Sequence, residues 1–158
     1  MKAIRTQLAI ALLTLTSGTA MAADIEVTAP WVRGTVSSQK ATGAFMEVTS
    51  KAGATLIGAA SPVAGVTEIH EMKMEGDVMK MRAIKGLELP PGKPVKLAPA
   101  GYHVMLMDLK QPLKKGEIVP ITLKIEGKNK TIEIIEVKAE VRDLTASTPV
   151  ADAHNHKH

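Results

Sequence analysis

The most informative absence from this chain of 158 residues is that of cysteine. Without a thiol, no disulfide can stabilise the fold and no cysteine thiolate can serve as a nucleophile or a metal ligand. Aromatic residues are also scarce, since the chain has one Trp, one Tyr and one Phe. Hydrophobic residues still make up 45 % of the sequence. A core is therefore expected, and aliphatic side chains and methionine must fill it.

Long hydrophobic runs are missing as well. The apolar run at residues 8–15 is far shorter than the ~20 residues that a membrane helix needs, so no stable membrane insertion is expected. Lys2 and Arg5 precede this run, and Ala20-Met21-Ala22 follows it. This pattern predicts a cleaved signal peptide at residues 1–22 and export to the periplasm.

The charge of the predicted mature chain is low and evenly spread. Cleavage after Ala22 leaves 136 residues, which is the size of one domain. Loss of Lys2 and Arg5 lowers the formal net charge from +4 to +2. Acidic and basic residues are interspersed, so there is no basic patch and nucleic acid is not an expected partner.

The mature chain consists of short segments with strand character, separated by turns rich in Gly and Pro. No segment shows the 3.6-residue period of an amphipathic helix, which favours an all-β sandwich or barrel. We expect about eight strands in a Greek-key arrangement. The domain is predicted to span residues 23–143, followed by a flexible tail at residues 144–158.

Methionine and histidine alternate in three of the predicted strands. Residues two apart on a strand point to the same face, so each strand presents several of these side chains together. Thioether sulfur is a soft, uncharged donor that suits Cu(I), and imidazole also binds copper. The alternating residues are His70, Met72, Met74, Met79, Met81, His103, Met105 and Met107.

The turn between two of these strands predicts their register. A four-residue loop at 75–78 places Met74 opposite Met79 and Met72 opposite Met81, with His70 one pair further along. His70 and Met81 can then approach a common atom. His103 and Met105 share a face of another strand and can supply two more donors. Such a site has no charged ligand, which favours Cu(I) over Cu(II) and suits zinc poorly.

The alternative interpretation of these methionines is packing, because methionine often fills gaps in protein cores. Met74, Met79 and Met107 are the candidates for a place in the core or at the rim of the site. Met72 is either a rim residue or an alternate metal donor.

The spacing of the four candidate ligands resembles the motif of a known family. His70, ten residues, Met81, twenty-one residues, His103, one residue and Met105 match the His-x10-Met-x21-His-x-Met motif of the periplasmic copper chaperones called the PCuAC family. Similar stretches lie at 31–33, 43–46 and 101–107, and the resemblance spans residues 24–142. It implies a cupredoxin-like Greek-key β-barrel that binds Cu(I) through His70, Met81, His103 and Met105. It also implies delivery of copper to the copper centres of respiratory oxidases.

The tail carries three more histidines, which alternate: His154, His156 and His158. Neutral imidazoles suit Cu(II), Ni(II) or Zn(II). The tail resembles in part the extensions with which some members of the family recruit a second copper, although it is short and lacks methionine. We expect a second, weaker Cu(II) site here as an accessory to the first.

Other classes of protein require residues that differ from these or leave the same residues with another task. An electron-transfer blue copper protein needs a cysteine ligand and is rejected. An enzyme is not expected, because the five histidines suggest no Ser-His-Asp arrangement. A metal-free β-domain that binds another protein remains open, as does a copper sequestration and tolerance protein without onward delivery. The expected partner is a copper acceptor, either an oxidase copper centre or another copper chaperone, and a monomer is the expected state.

Overall fold

The computed structural model describes residues 25–143, and this part of the chain is all-β, as expected. It contains ten strands, where the sequence predicted about eight. Their bounds are β1 Ile25–Arg33, β2 Ala41–Ser50, β3 Ala54–Ala60, β4 Ala64–Glu75, β5 Val78–Ala83, β6 Leu87–Leu89, β7 Pro94–Leu97, β8 His103–Leu109, β9 Ile118–Gly127 and β10 Ile132–Arg142. Strand β6, which was not predicted, has only three residues, and this is too short to show a period in the sequence.

The strands form one continuous sheet with the order β5-β4-β8-β2-β1-β10-β9-β3-β6, and β7 pairs with β2. Strands β1 and β10 run parallel, and the other paired strands are antiparallel. Neighbours such as β4 and β8, or β2 and β8, are not consecutive in the chain. These crossings are those of a Greek-key arrangement, which brings three strands with candidate ligands side by side as β5-β4-β8.

The core is aliphatic and lies on one face of the strands that carry the candidate ligands. Ile69, Val104 and Leu106 are buried there, and so are residues of β2, β3, β9 and β10. Full burial of one such side chain contributes about 1.5–3 kcal/mol. Because side chains alternate along a strand, His70 and His103 point to the opposite face from Ile69 and Val104.

That opposite face carries a small aromatic cluster. The rings of Trp31 and Phe45 are 4.5 Å apart between centroids. The guanidinium carbon of Arg33 lies 5.6 Å from the centre of the Phe45 ring, and that of Arg142 lies 5.4 Å from the Trp31 ring. These cation–π contacts cover the aromatic cluster. The cluster forms a wall beside His103, whose ring centroid is 6.3 Å from that of Phe45.

The hairpin of β4 and β5 extends beyond the strand that supports it. Strand β4 pairs with β8 from Ala64 as far as His70, which lies opposite His103. The Met72 N–H then donates to the carbonyl of Gly101, and the remaining residues of β4 pair only with β5. All six residues of β5 are exposed. The outer part of the hairpin therefore projects into solvent.

Two predictions lie outside the described residues: the signal peptide at 1–22 and the tail at 144–158 with its three histidines. Between residues 25 and 143, the structure has no helix long and apolar enough to cross a membrane.

Candidate metal centre

The two buried histidines of the site face each other across neighbouring strands. His70 of β4 and His103 of β8 are register partners. Their ring centroids are 5.7 Å apart, and the residues are only 7 % and 5 % exposed. The pairing of β4 with β8 thus brings together two side chains that are 33 positions apart in the sequence.

Methionines of β5 and β8 lie beside this pair. The Sδ atom of Met81, on β5, lies 3.2 Å from Nε2 of His103. Met105 follows His103 by two residues on β8 and therefore lies on the same face. Met81, His103 and Met105 line one pocket of about 210 Å³, together with Met72. The structure thus places the four sequence-predicted ligands on one face of three adjacent strands.

The ring of His103 is held in one orientation by the backbone. Its Nδ1 lies 3.2 Å from the carbonyl oxygen of Gly101, and a carbonyl accepts a hydrogen bond more strongly than the thioether of Met81 beside Nε2, so Nδ1 carries the proton. The lone pair of the neutral ring is then on Nε2, which faces Met81. Burial lowers the pKa of His103 below 6.5, the hydrogen bond to Gly101 raises it, and the charges of His70 and Arg33 lower it further. The net decrease keeps the ring in the neutral form that binds metals.

In the ring of His70 the free nitrogen is Nδ1, whereas in His103 it is Nε2. Its Nε2 lies 2.7 Å from Oε2 of Glu68, and a carboxylate accepts, so Nε2 donates. Nδ1 of His70 is buried and has no hydrogen-bond partner. A buried acceptor without a hydrogen bond costs free energy, and no protein group pairs with this nitrogen. A metal ion bound to this nitrogen would satisfy it.

The donor set determines which metal fits. Within the described part of the chain, no group of three or more His, Cys, Asp or Glu side chains could hold a metal ion. Thioether sulfur, which lies beside His103, is then the side-chain donor at hand to complete the coordination of a metal bound by His70 and His103. This combination favours Cu(I) and does not suit Ca²⁺, Mg²⁺ or Zn²⁺.

Gly43 makes room for the wall of the site. It lies opposite Met105 on the neighbouring strand β2. A Cβ atom at Gly43 would come within 2.6 Å of Cζ of Phe45. Glycine therefore lets the Phe45 ring lie flat against the strand, between Trp31 and His103.

The remaining methionines of the segment differ in position. Met72 lies directly opposite Met81, and Met74 lies opposite Met79, which confirms the hairpin register predicted from the turn. Met74 and Met79 are exposed near the hairpin tip, so they belong to the rim rather than the core. Met107 is half-buried on β8.

Sequence reasoning missed two groups that orient the histidines. Glu68 is two residues before His70 on β4, so the same alternation that linked His70 to Met72 could have found it. The role of the Gly101 carbonyl could not be predicted, because every residue has a backbone carbonyl and the residue type does not show which one contacts His103.

Comparison with known proteins places the chain in a family. A family model described as "Putative lipoprotein LpqE-like" matches residues 25–141. The chain belongs to the LpqE-like family. A relative from Leifsonia xyli subsp. xyli, described as a "Putative lipoprotein", is 30 % identical over 115 residues, which cover 72 % of this chain and 69 % of the relative.

Solved structures share the fold of this LpqE-like chain. The apo form of DR1885 from Deinococcus radiodurans matches with a TM-score of 0.56 and 28 % identity, covering 90 % of this chain and 95 % of that one. The Cu(I) form of DR1885 matches with a TM-score of 0.52 and 29 % identity, and the match covers 83 % of this chain and 84 % of DR1885. The copper-bound PCuAC domain from PmoF2 matches with a TM-score of 0.60 and 23 % identity, and the match covers 75 % of this chain and 92 % of that domain. The fold is that of PCuAC domains, which confirms the expected cupredoxin-like class.

Proposed function

We propose that this LpqE-like chain is a copper chaperone of the periplasm. It binds Cu(I) through His70, Met81, His103 and Met105 and delivers it to the copper centres of respiratory oxidases. In this proposal the chain is a carrier rather than an enzyme, and copper is its cargo. The Cu(I) form of DR1885 and the copper-bound PmoF2 domain support copper as the metal.

One observation carries the proposal: two buried imidazoles are oriented by other groups so that each keeps a free lone pair. Glu68 holds the proton of His70 on Nε2, and Gly101 holds that of His103 on Nδ1. Metal-binding histidines are commonly oriented in this way through their second nitrogen. The free nitrogens are Nδ1 of His70 and Nε2 of His103, and Met81 sulfur already lies beside the latter.

The arrangement also allows release of the metal. Met81 is 49 % exposed on an edge strand, whereas both histidines are buried. A thioether on the exposed side can be replaced by a ligand of an acceptor protein while the histidines still hold the ion. Thioethers also do not form disulfides, which suits an oxidising compartment.

A Cu(I) titration in competition with a chromophoric chelator tests the binding site, with X-ray absorption to identify the ligands. We expect one tightly bound Cu(I) with mixed nitrogen and sulfur ligation, and a marked loss of affinity in His103→Ala and Met105→Ala. Met107→Leu is the matched control, because Met107 lies on the same face of β8 outside the proposed ligands. Wild-type affinity in the alanine variants would remove those residues from the site.

Delivery has one rival, which is sequestration of copper for tolerance by the same ligands. A transfer experiment separates them. The copper-loaded chain is mixed with a purified, copper-free oxidase copper-centre domain, and the metal on each protein is measured after separation. Movement of copper to that domain supports delivery, and retention on this chain favours sequestration.

Two parts of the proposal concern residues outside the described part of the chain. We infer export to the periplasm from the signal-peptide pattern at 1–22, and the lipoprotein descriptions of the family and of the Leifsonia relative support export. We also propose that His154, His156 and His158 bind a second, weaker Cu(II). Loss of Cu(II) binding after deletion of residues 144–158, with Cu(I) binding retained, is the expected result.

A further inference from the structure

We propose that the outer methionines of the β4–β5 hairpin form a second, transient Cu(I) site through which copper passes to and from the site of the two buried histidines. The outer site consists of Met72, Met74 and Met79. This inference rests on the proposed function, because it assumes that Cu(I) is held at His70, Met81, His103 and Met105.

The register of the hairpin arranges its methionines as a ladder. Met74 pairs with Met79 at the outer rung, and Met72 pairs with Met81 at the inner rung. Directly opposed side chains on an antiparallel pair are ~4.5–5.5 Å apart between Cβ atoms. Consecutive rungs are ~6.6–6.8 Å apart along the strand. The flexible methionine side chain can span these separations, so three thioethers can meet at one ion.

The two faces of the hairpin differ in chemistry. The face with the ladder continues into His70 and the buried site. The opposite face carries the charged residues of the two strands: Lys80 contacts Glu75, Arg82 contacts Glu71, and Lys73 lies on the same face. Because these charges point away from the methionines, the ladder itself offers Cu(I) only uncharged sulfur.

The exposure of the outer rung is the observation that packing does not explain. Met74 is 53 % exposed and Met79 is 46 % exposed, so neither fills a core. Beyond Met72 the hairpin has no third strand beside it, and its tip projects into solvent. The outer rung lies at this tip, farther from the buried histidines than Met81, so an incoming ion can meet its sulfur atoms before it reaches the histidines.

Transfer along the ladder needs only ligand exchange. Copper stays Cu(I) throughout, and each exchange forms one bond from copper to an incoming sulfur or nitrogen and breaks one Cu–S bond. An ion at Met72, Met74 and Met79 can exchange Met74 or Met79 for Met81, and then the remaining outer thioethers for His103 and His70. Met105 then binds as the fourth ligand and completes the set. The neutral donors keep the charge of the site constant during transfer.

The experiment follows each methionine separately. The mature chain with 13C-labelled methionine methyl groups is titrated anaerobically with Cu(I) in ascorbate, and each methyl signal is assigned from a Met→Leu variant. The first equivalent is expected to shift the signals of Met81 and Met105. Further Cu(I) is expected to shift those of Met72, Met74 and Met79.

The double variant Met74→Leu/Met79→Leu should take Cu(I) from a chromophoric chelator several-fold more slowly than wild type, at unchanged equilibrium affinity. Met107→Leu is the control for a Met→Leu change on the same sheet face and should leave the rate unchanged.

The outcomes separate the two proposals. The transfer site is refuted if the methyl signals of Met74 and Met79 do not shift at several equivalents of Cu(I) while those of Met81 and Met105 do. It is also refuted if the double variant takes up Cu(I) at the wild-type rate. In both cases the site at the two histidines stands. If Met81 and Met105 do not respond either, the proposed function fails and the transfer site fails with it.

Discussion

Oε2 of Glu68 and Nε2 of His70 are 2.7 Å apart, and this contact fixes which nitrogen of a buried ring is free. Replacement by Gln in Glu68→Gln keeps the size of the side chain but removes its charge and weakens the acceptor. Loss of such an orienting partner typically lowers metal affinity about 10–100-fold. We expect a decrease at the lower end of that range, because the Glu68 side chain is 45 % exposed and the amide oxygen can still accept. A chelator competition titration measures it.

A matched control for Glu68→Gln lies on the same strand. Glu71 points to the other face of β4 and pairs with Arg82, so Glu71→Gln changes the charge equally without touching His70. The control should bind Cu(I) as wild type does. Equal losses of affinity in both variants would mean that overall charge, and not the orientation of His70, determines binding.

The lowered pKa of His103 predicts a pH dependence of the stability of the copper-free protein. Below pH 6.5 the unfolded chain takes up a proton at this histidine, whereas the folded protein does so only at a lower pH. The free energy of unfolding therefore falls as the pH decreases below 6.5, by about 1.4 kcal/mol for each unit by which the pKa is lowered. Urea denaturation from neutral pH to about pH 5 measures this decrease, and His103→Gln should make it less steep.

Direct titration of the ring checks the same point. An NMR titration of the His103 imidazole should give a midpoint below 6.5, since burial outweighs the hydrogen bond to Gly101. Proton competition with Cu(I) at this ligand then begins below pH 6.5. A midpoint at or above 6.5 would contradict the prediction.

Gly43 is predicted to be essential to the shape of the site. In Gly43→Ala the new Cβ would lie 2.6 Å from Cζ of Phe45, so a buried ring packed on Trp31 has to move. Overpacking of this kind costs about 1–3 kcal/mol. Because the Phe45 ring borders His103, Cu(I) affinity should fall as well.

The control for Gly43→Ala is Gly58→Ala. A Cβ at Gly58 meets only Cβ of Lys124, at an ordinary contact distance of 3.8 Å. Its stability should stay within about 0.5 kcal/mol of wild type. If urea denaturation shows the same change for both variants, the Phe45 contact is not the cause.

The hairpin and the sharing of a face by the ligands were predictable because they depend on local rules. Turn residues at 75–78 set the pairing of Met72 with Met81, and alternation placed His103 and Met105 together. The pairing of His70 with His103 is different, since it joins strands that are not consecutive in the chain. The family resemblance implied that contact, and spacing alone did not determine it.

The parts that the sequence did not predict depend on tertiary contacts. Strand β6 exists because Leu87–Leu89 pairs with β3. Strand β1 spans Ile25–Arg33, and the sequence did not predict the bulge that interrupts its pairing with β2. Ala29 adopts a positive φ of 47° at this bulge, and the residue pattern did not predict this conformation.

Met72 and Met81 lie opposite each other and line the same pocket, which predicts that they can substitute for one another as a donor. In Met81→Leu, we expect Met72 to take over in part, so that Cu(I) affinity falls modestly. Met72→Leu alone should change affinity little, because Met81 lies beside His103. With both replaced, no thioether of the inner rung remains, and the loss should exceed the sum of the single losses by roughly 0.5–3 kcal/mol. A double-mutant cycle of chelator competition titrations measures this excess, and additive losses would exclude Met72 as an alternate ligand.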